Sequence, residues 1–97
     1  MCTIYSNTDS FLYDSKSRSI RISKVVTSIK LENMFWEILE NLAQDSNLTL
    51  NQLITELYEE VYALRGEISN FSSFLRVTCM KYQHSKKSEY SRNTQPY

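Results

Sequence analysis

Residues 27–57 read TSIKLENMFWEILENLAQDSNLTLNQLITEL, and the fold turns on the point where the period of their apolar residues changes. Up to Leu31 the period is two: Thr27, Ile29 and Leu31 share one face, with Val26, Ser28 and Lys30 on the other. Upstream, Ile20 and Ile22 also share a face, so two short extended pieces fit between Arg18 and Leu31, the second rich in β-branched residues. At Glu32 the period becomes helical. Phe35, Ile38, Leu39 and Leu42 recur at three and four, Trp36 and Ala43 flank them, and Glu32, Glu37 and Glu40 lie towards the start, where acids suit the macrodipole. This predicts a helix over 33–45. Asp45-Ser46-Asn47 reads as a turn, Asn being the commonest substitute for Gly in the left-handed conformation. Thr49 then caps a second helix, with Gln52 completing a capping-box pattern, and Leu50, Leu53, Leu57, Val61 and Leu64 form its stripe. Arg65-Gly66 ends it. Ser69 or Asn70 can cap a third helix over 70–83, whose apolar face holds Phe71, Phe74, Leu75, Thr78 and Tyr82.

Outward from this centre the pattern fades. Residues 1–15 show no sustained period and read as a flexible arm, while 84–97, HSKKSEYSRNTQPY, are polar and aperiodic and read as a disordered tail. The folded domain is expected over 16–83. With 97 residues the chain allows one small domain, and a monomer of that size buries only about 60% of its unfolded surface, so self-association is expected to make up the shortfall. Cys2 and Cys79 fit neither a disulfide framework nor a metal motif, which suits a reducing cytoplasm. No apolar run approaches the roughly 18 residues of a membrane span, and 1–15 carry no basic residue to open a secretory signal.

The formal net charge of zero argues against a nucleic-acid binder, but the charges are segregated. Residues 15–31 carry Lys16, Arg18, Arg21, Lys24 and Lys30 with no acid. Residues 32–67 hold eight acids against Arg65 alone, and after Ile68 five bases face only Glu89. A basic strip inside a neutral total can carry an electrostatic footprint.

RSIRI (18–22), the stretch quoted above and NFSSFLRV (70–77), taken in that order, resemble the ribbon-helix-helix family of the MetJ/Arc type, and within it a subfamily of short bacterial proteins. The resemblance covers about Arg18 to Tyr82. It implies a mainly α fold with one short β-strand, two helices and an additional third, the strands of two subunits pairing antiparallel across a homodimer and entering the major groove of double-stranded DNA. Carried onto this chain, Val26, Ser28 and Lys30 face bases, and Thr27, Ile29, Leu31, Phe35, Trp36, Leu39, Leu53 and Leu57 form the dimer core. Val26 is a departure, since the family commonly places a basic residue there; a valine can instead pack on a thymine methyl. Phosphates are expected to meet Arg18, Arg21 and Lys24 and the backbone N–H groups of Thr49, Leu50 and Asn51 at the start of the second helix. The expected function is a transcriptional regulator, acting as a repressor or autoregulator.

Each assignment has a plainer alternative. Lys30 and Ser28 also fit the solvated face of an edge strand, Arg18, Arg21 and Lys24 a soluble linker, and Phe35 and Trp36 core packing rather than a base-stacking platform. A protein-interaction or antitoxin-like module with the same fold is the competing function. No nucleophile–base pair, metal cluster or phosphate loop is readable, His84 has no partner cluster, and neither an enzyme nor a cofactor is expected.

Overall fold

The computed structural model describes residues 7–94. Its elements run α1 (Ser10–Tyr13), β1 (Ser15–Ile22), β2 (Val25–Glu32), α2 (Asn33–Asp45), α3 (Leu50–Arg65) and α4 (Phe71–Thr94). This is a mainly helical ribbon-helix-helix architecture with one difference from expectation. The ribbon strand does not stand alone in the chain: β2 pairs antiparallel with β1, in a register that sets Ile22 against Val25 and Ser15 against Glu32. A two-residue turn, Ser23-Lys24, closes the hairpin, with Ser23 in the left-handed region at φ 58.

The two periods place the core. Ile20 and Ile22 of β1 and Ile29 and Leu31 of β2 lie buried on one sheet face, against Trp36, Ile38, Leu39 and Ala43 of α2, Leu53 and Ile54 of α3, and Leu75 and Cys79 of α4. Most residues expected at the dimer core find cover within their own chain. Ile29, Leu31, Trp36, Leu39 and Leu53 are already buried within one chain, and Thr27, Phe35 and Leu57 are half-buried there. The second strand and the third helix supply the cover that a lone strand and two helices would have to borrow. Trp36, only 2% exposed, is a core residue whose Nε1 donates to the Lys16 carbonyl at 2.8 Å. Burial pushes the Cys79 thiol up to about 11, so it stays protonated as a small apolar side chain.

Helix ends follow local chemistry. Asn47 takes φ 58 after α2, Gly66 takes φ 75 after α3, and Thr49 and Gln52 make the full capping box: the Thr49 hydroxyl accepts from the Gln52 N–H at 3.1 Å, and Gln52 Oε1 accepts from the Thr49 N–H at 2.9 Å.

Both flanks carry helix that the sequence pattern does not announce. In the arm, Asp9 caps α1, and Asn33 fastens that turn to the start of α2, its N–H donating to the Asp14 carbonyl at 2.8 Å and its Nδ2 to the Phe11 carbonyl at 2.9 Å. Residues 1–6, Cys2 among them, lie outside the described residues. At the other end α4 runs on to Thr94, through most of the expected disordered tail; 95–97 lie outside the description. No Gly or Pro interrupts 71–94, and the helix is tied to the rest of the fold between Arg76 and Lys86. Arg76 Nε lies 2.9 Å from Glu32 Oε1 ahead of α2, and at the far end of α2 the Tyr82 hydroxyl and Lys86 Nζ both donate to Asp45.

These ties give a pH dependence. The Arg76 hydrogen bond holds the Glu32 carboxyl below its ordinary value, and the Tyr82 hydroxyl does the same for Asp45. A carboxylate depressed by folding stabilises the fold at all pH above its ordinary value and loses that contribution as pH falls through the depressed one. Thermal midpoints measured from neutral pH to about pH 2 are therefore expected to fall on the acid side, and Arg76→Ala to flatten that limb. The groups are largely solvated, so the change is modest. A limb unchanged in Arg76→Ala would show that Glu32 contributes nothing through this pair.

Candidate nucleic-acid interface

The face of the hairpin turned away from the core carries Val26, Ser28 and Lys30 on β2, as the alternation requires. All three are exposed, Val26 by 57%. β1 brings its own alternate residues to the same face. Across the ladder Arg21 stands opposite Val26, Ser19 opposite Ser28 and Ser17 opposite Lys30. Arg21 is thus the cross-strand neighbour of Val26, the position where a basic residue was missing. Sequence reasoning overlooked Ser17 and Ser19. The alternation of RSIRI points to Ser19, but no apolar residue marks the strand as far back as Ser15.

Arg18 is not part of this face. Belonging with Ile20 and Ile22 by parity, it turns to the core side, where its Nη1 lies 2.9 Å from Glu40 Oε1 and its guanidinium sits 5.1 Å above the Trp36 ring. Expected among the phosphate-contacting residues, it is held by a cation–π contact and an ion pair on the side of the sheet opposite Val26, Ser28 and Lys30. Lys24 is exposed in the hairpin turn. Glu32, the acid at the end of β2, is paired with Arg76.

The start of α3 lies against the outer edge of β1. The Asn51 side chain grips the backbone of Arg21 at two points, Oδ1 accepting from its N–H at 2.9 Å and Nδ2 donating to its carbonyl at 2.8 Å. Thr55 Oγ1 donates to the same carbonyl at 3.1 Å. The Asn51 amide thereby acts as one residue of a third strand. The capping box changes the count of free donors, because the Thr49 N–H is taken by Gln52. Leu50 and Asn51 keep N–H groups with no intrahelical acceptor, and the side chain of Asn51 is committed to Arg21.

The two edges of the sheet differ. In a hairpin closed by two residues the flanking pair exchanges hydrogen bonds, so on β2 the backbone groups of Val25, Thr27, Ile29 and Leu31 turn to β1 and those of Val26, Ser28 and Lys30 turn away. That second edge has no partner strand among the described residues. The outer edge of β1 is closed at Arg21 by Asn51. Among the described residues no group of three potential metal ligands forms, and no helix is long and apolar enough to cross a membrane.

None of the curated proteins matches this sequence. Among solved structures the chain is similar to an uncharacterized protein from Bordetella pertussis Tohama I, with 40% identity and a TM-score of 0.86 over 92% of this chain and 71% of that one. The ribbon-helix-helix domain matches residues 15–83, from the first residue of β1 into α4. Hairpin, two capped helices and this match together make the chain a member of the ribbon-helix-helix domain family.

Proposed function

We propose that the protein is a sequence-specific DNA-binding regulator of transcription, acting in the cytoplasm as a homodimer and repressing its target operon, its own included. The observation that carries this reading is the open edge of β2 beside an exposed face that bears Val26, Ser28 and Lys30. An unpaired strand edge is a template for another strand, and a two-fold contact between copies joins β2 to β2 and closes it. The two central strands then present Val26, Ser28 and Lys30 twice, as a ribbon of the kind that enters a major groove. Lys30 donates to guanine O6 or N7, Ser28 donates or accepts, and Val26 packs on a thymine methyl. Arg21 and Lys24, with the free N–H groups of Leu50 and Asn51, face phosphates.

Binding to a random duplex, titrated with salt alongside light scattering, tests both halves. A dimer is expected, with affinity falling steeply as salt rises, because each neutralised phosphate releases counterions. A folded protein that binds no duplex at low salt would favour the interaction module, for which the exposed Val77 and Met80 of α4 offer a surface.

A further inference from the structure

The hairpin face holds a row of side chains that the reading above leaves unused. Ser17 and Ser19 project from β1 in line with Arg21, next to Lys30 and Ser28 across the ladder. We propose that this row is a phosphate-binding rail: the hydroxyls of Ser17 and Ser19 and the guanidinium of Arg21 grip consecutive phosphates of one DNA strand along the rim of the major groove. The inference rests on the DNA-binding reading and extends it to residues with no role there.

Three observations support it. The first is position. If β2 pairs with its copy, the sheet has four strands about 4.8 Å apart, which puts the two β1 strands about 14 Å from each other. A major groove is about 12 Å wide, so β2 and its copy lie over the groove floor and each β1 lies over a rim, where the phosphates are. Residues two apart advance about 6.8 Å along a strand, and the row from Ser17 to Arg21 thus runs beside several phosphates.

The second observation is residue type. An exposed strand face gains stability from Val, Ile, Thr or Tyr, yet β1 carries serine at 15, 17 and 19. Serine lets a backbone come close, and its hydroxyl donates a hydrogen bond to a phosphate oxygen without carrying sequence information. The acid on this face, Glu32, is paired with Arg76.

The third is rigidity. Asn51 clamps the backbone of Arg21 to the first turn of α3. The rail and the free N–H groups of Leu50 and Asn51 therefore form one fixed unit, so the strand and the helix end grip the same DNA strand without either having to be ordered on binding.

The test uses the full chain and a fluorescent random-sequence duplex of about 20 base pairs, with a selected site for comparison. Ser17→Ala/Ser19→Ala is expected to weaken both duplexes equally, by about tenfold, through loss of two charge-assisted hydrogen bonds. Ser19→Asp is expected to weaken both by on the order of a hundredfold and to lower the salt slope by about one ion, whereas Ser85→Asp on α4, the same change of net charge, leaves both unchanged. All four proteins should melt alike, since both serines are exposed. If the wild type binds DNA and neither serine variant differs from it, the rail is overturned while the DNA-binding reading stands. A loss confined to the selected site would also overturn it, because the serines would then be reading bases. A wild type that binds no duplex removes the reading itself, and the rail with it.

Discussion

Trp36→Ala is expected to lower the unfolding free energy by about 3–5 kcal/mol, the range for removing a large aromatic side chain from a core. Trp36 is the point where three elements meet. Its ring, on α2, lies in the core shared with Ile20, Leu31 and Leu39, its Nε1 donates to the Lys16 carbonyl near the start of β1, and Arg18 covers its outer face. The loss has a cavity component and a hydrogen-bond component. Trp36→Phe separates them: most of the apolar area stays, the Lys16 carbonyl loses its donor, and a smaller loss of about 1–3 kcal/mol is expected. Chemical denaturation of the three proteins at one concentration gives both numbers. Equal losses for Ala and Phe would show that the hydrogen bond, not packing, holds α2 to the hairpin. A negligible loss for Ala would mean that the Trp36 site collapses or refills without cost.

That Trp36 is buried within a single chain was only partly legible in the sequence. The spacing of Phe35, Ile38, Leu39 and Leu42 shows that a helix buries one face, and it fixes α2 at 33–45. Periodicity does not say which chain provides the cover, and Leu31 and Leu39 are covered by their own. The reason lies in the hairpin. Its turn, Ser23-Lys24, has none of the Gly, Asn or Asp that two-residue hairpin turns usually show, so no local signal announces that the chain doubles back. Ser23 nevertheless takes a positive φ, because eight cross-strand pairs and the core beneath them hold it there. The helix caps were the opposite case. Asn47, Thr49 with Gln52, and Gly66 each satisfy backbone groups within a few residues, and each sits where local chemistry puts it. Arg18 shows a signal that was present but unread: its parity with Ile20 and Ile22 sends it to the core side, whereas charge alone suggested DNA. The end of α4 shows a signal that was absent. Residues 84–94 have no apolar period, and the contact that reaches into them, from Asp45 to Lys86 beside Tyr82, joins groups distant in sequence.

The placement of the basic residues leads to the second large effect. Lys30→Ala is expected to cost about 1–3 kcal/mol on a selected site, roughly 5- to 150-fold, and to relax the preferred base at one position in each half-site. Arg21→Ala is expected to weaken selected and random duplexes about equally and to flatten the salt slope by roughly one ion. Both side chains leave the same face of one hairpin, so the difference between them comes from the strand that carries each. Lys30 is on β2, whose open edge makes it a central strand once two copies pair. Arg21 is on β1, whose edge Asn51 closes, and this keeps it at the rim of the sheet. Only a central strand reaches base edges; a rim strand meets phosphates, which are alike at every sequence. Selection from random duplexes followed by salt titration of the two variants reads both effects. If Arg21→Ala changed the selected sequence while Lys30→Ala lowered affinity uniformly, β1 would lie in the groove and β2 at its rim, and the dimer would have to form through some other edge. If neither variant altered binding, the outer face of the hairpin would not be the surface that meets DNA.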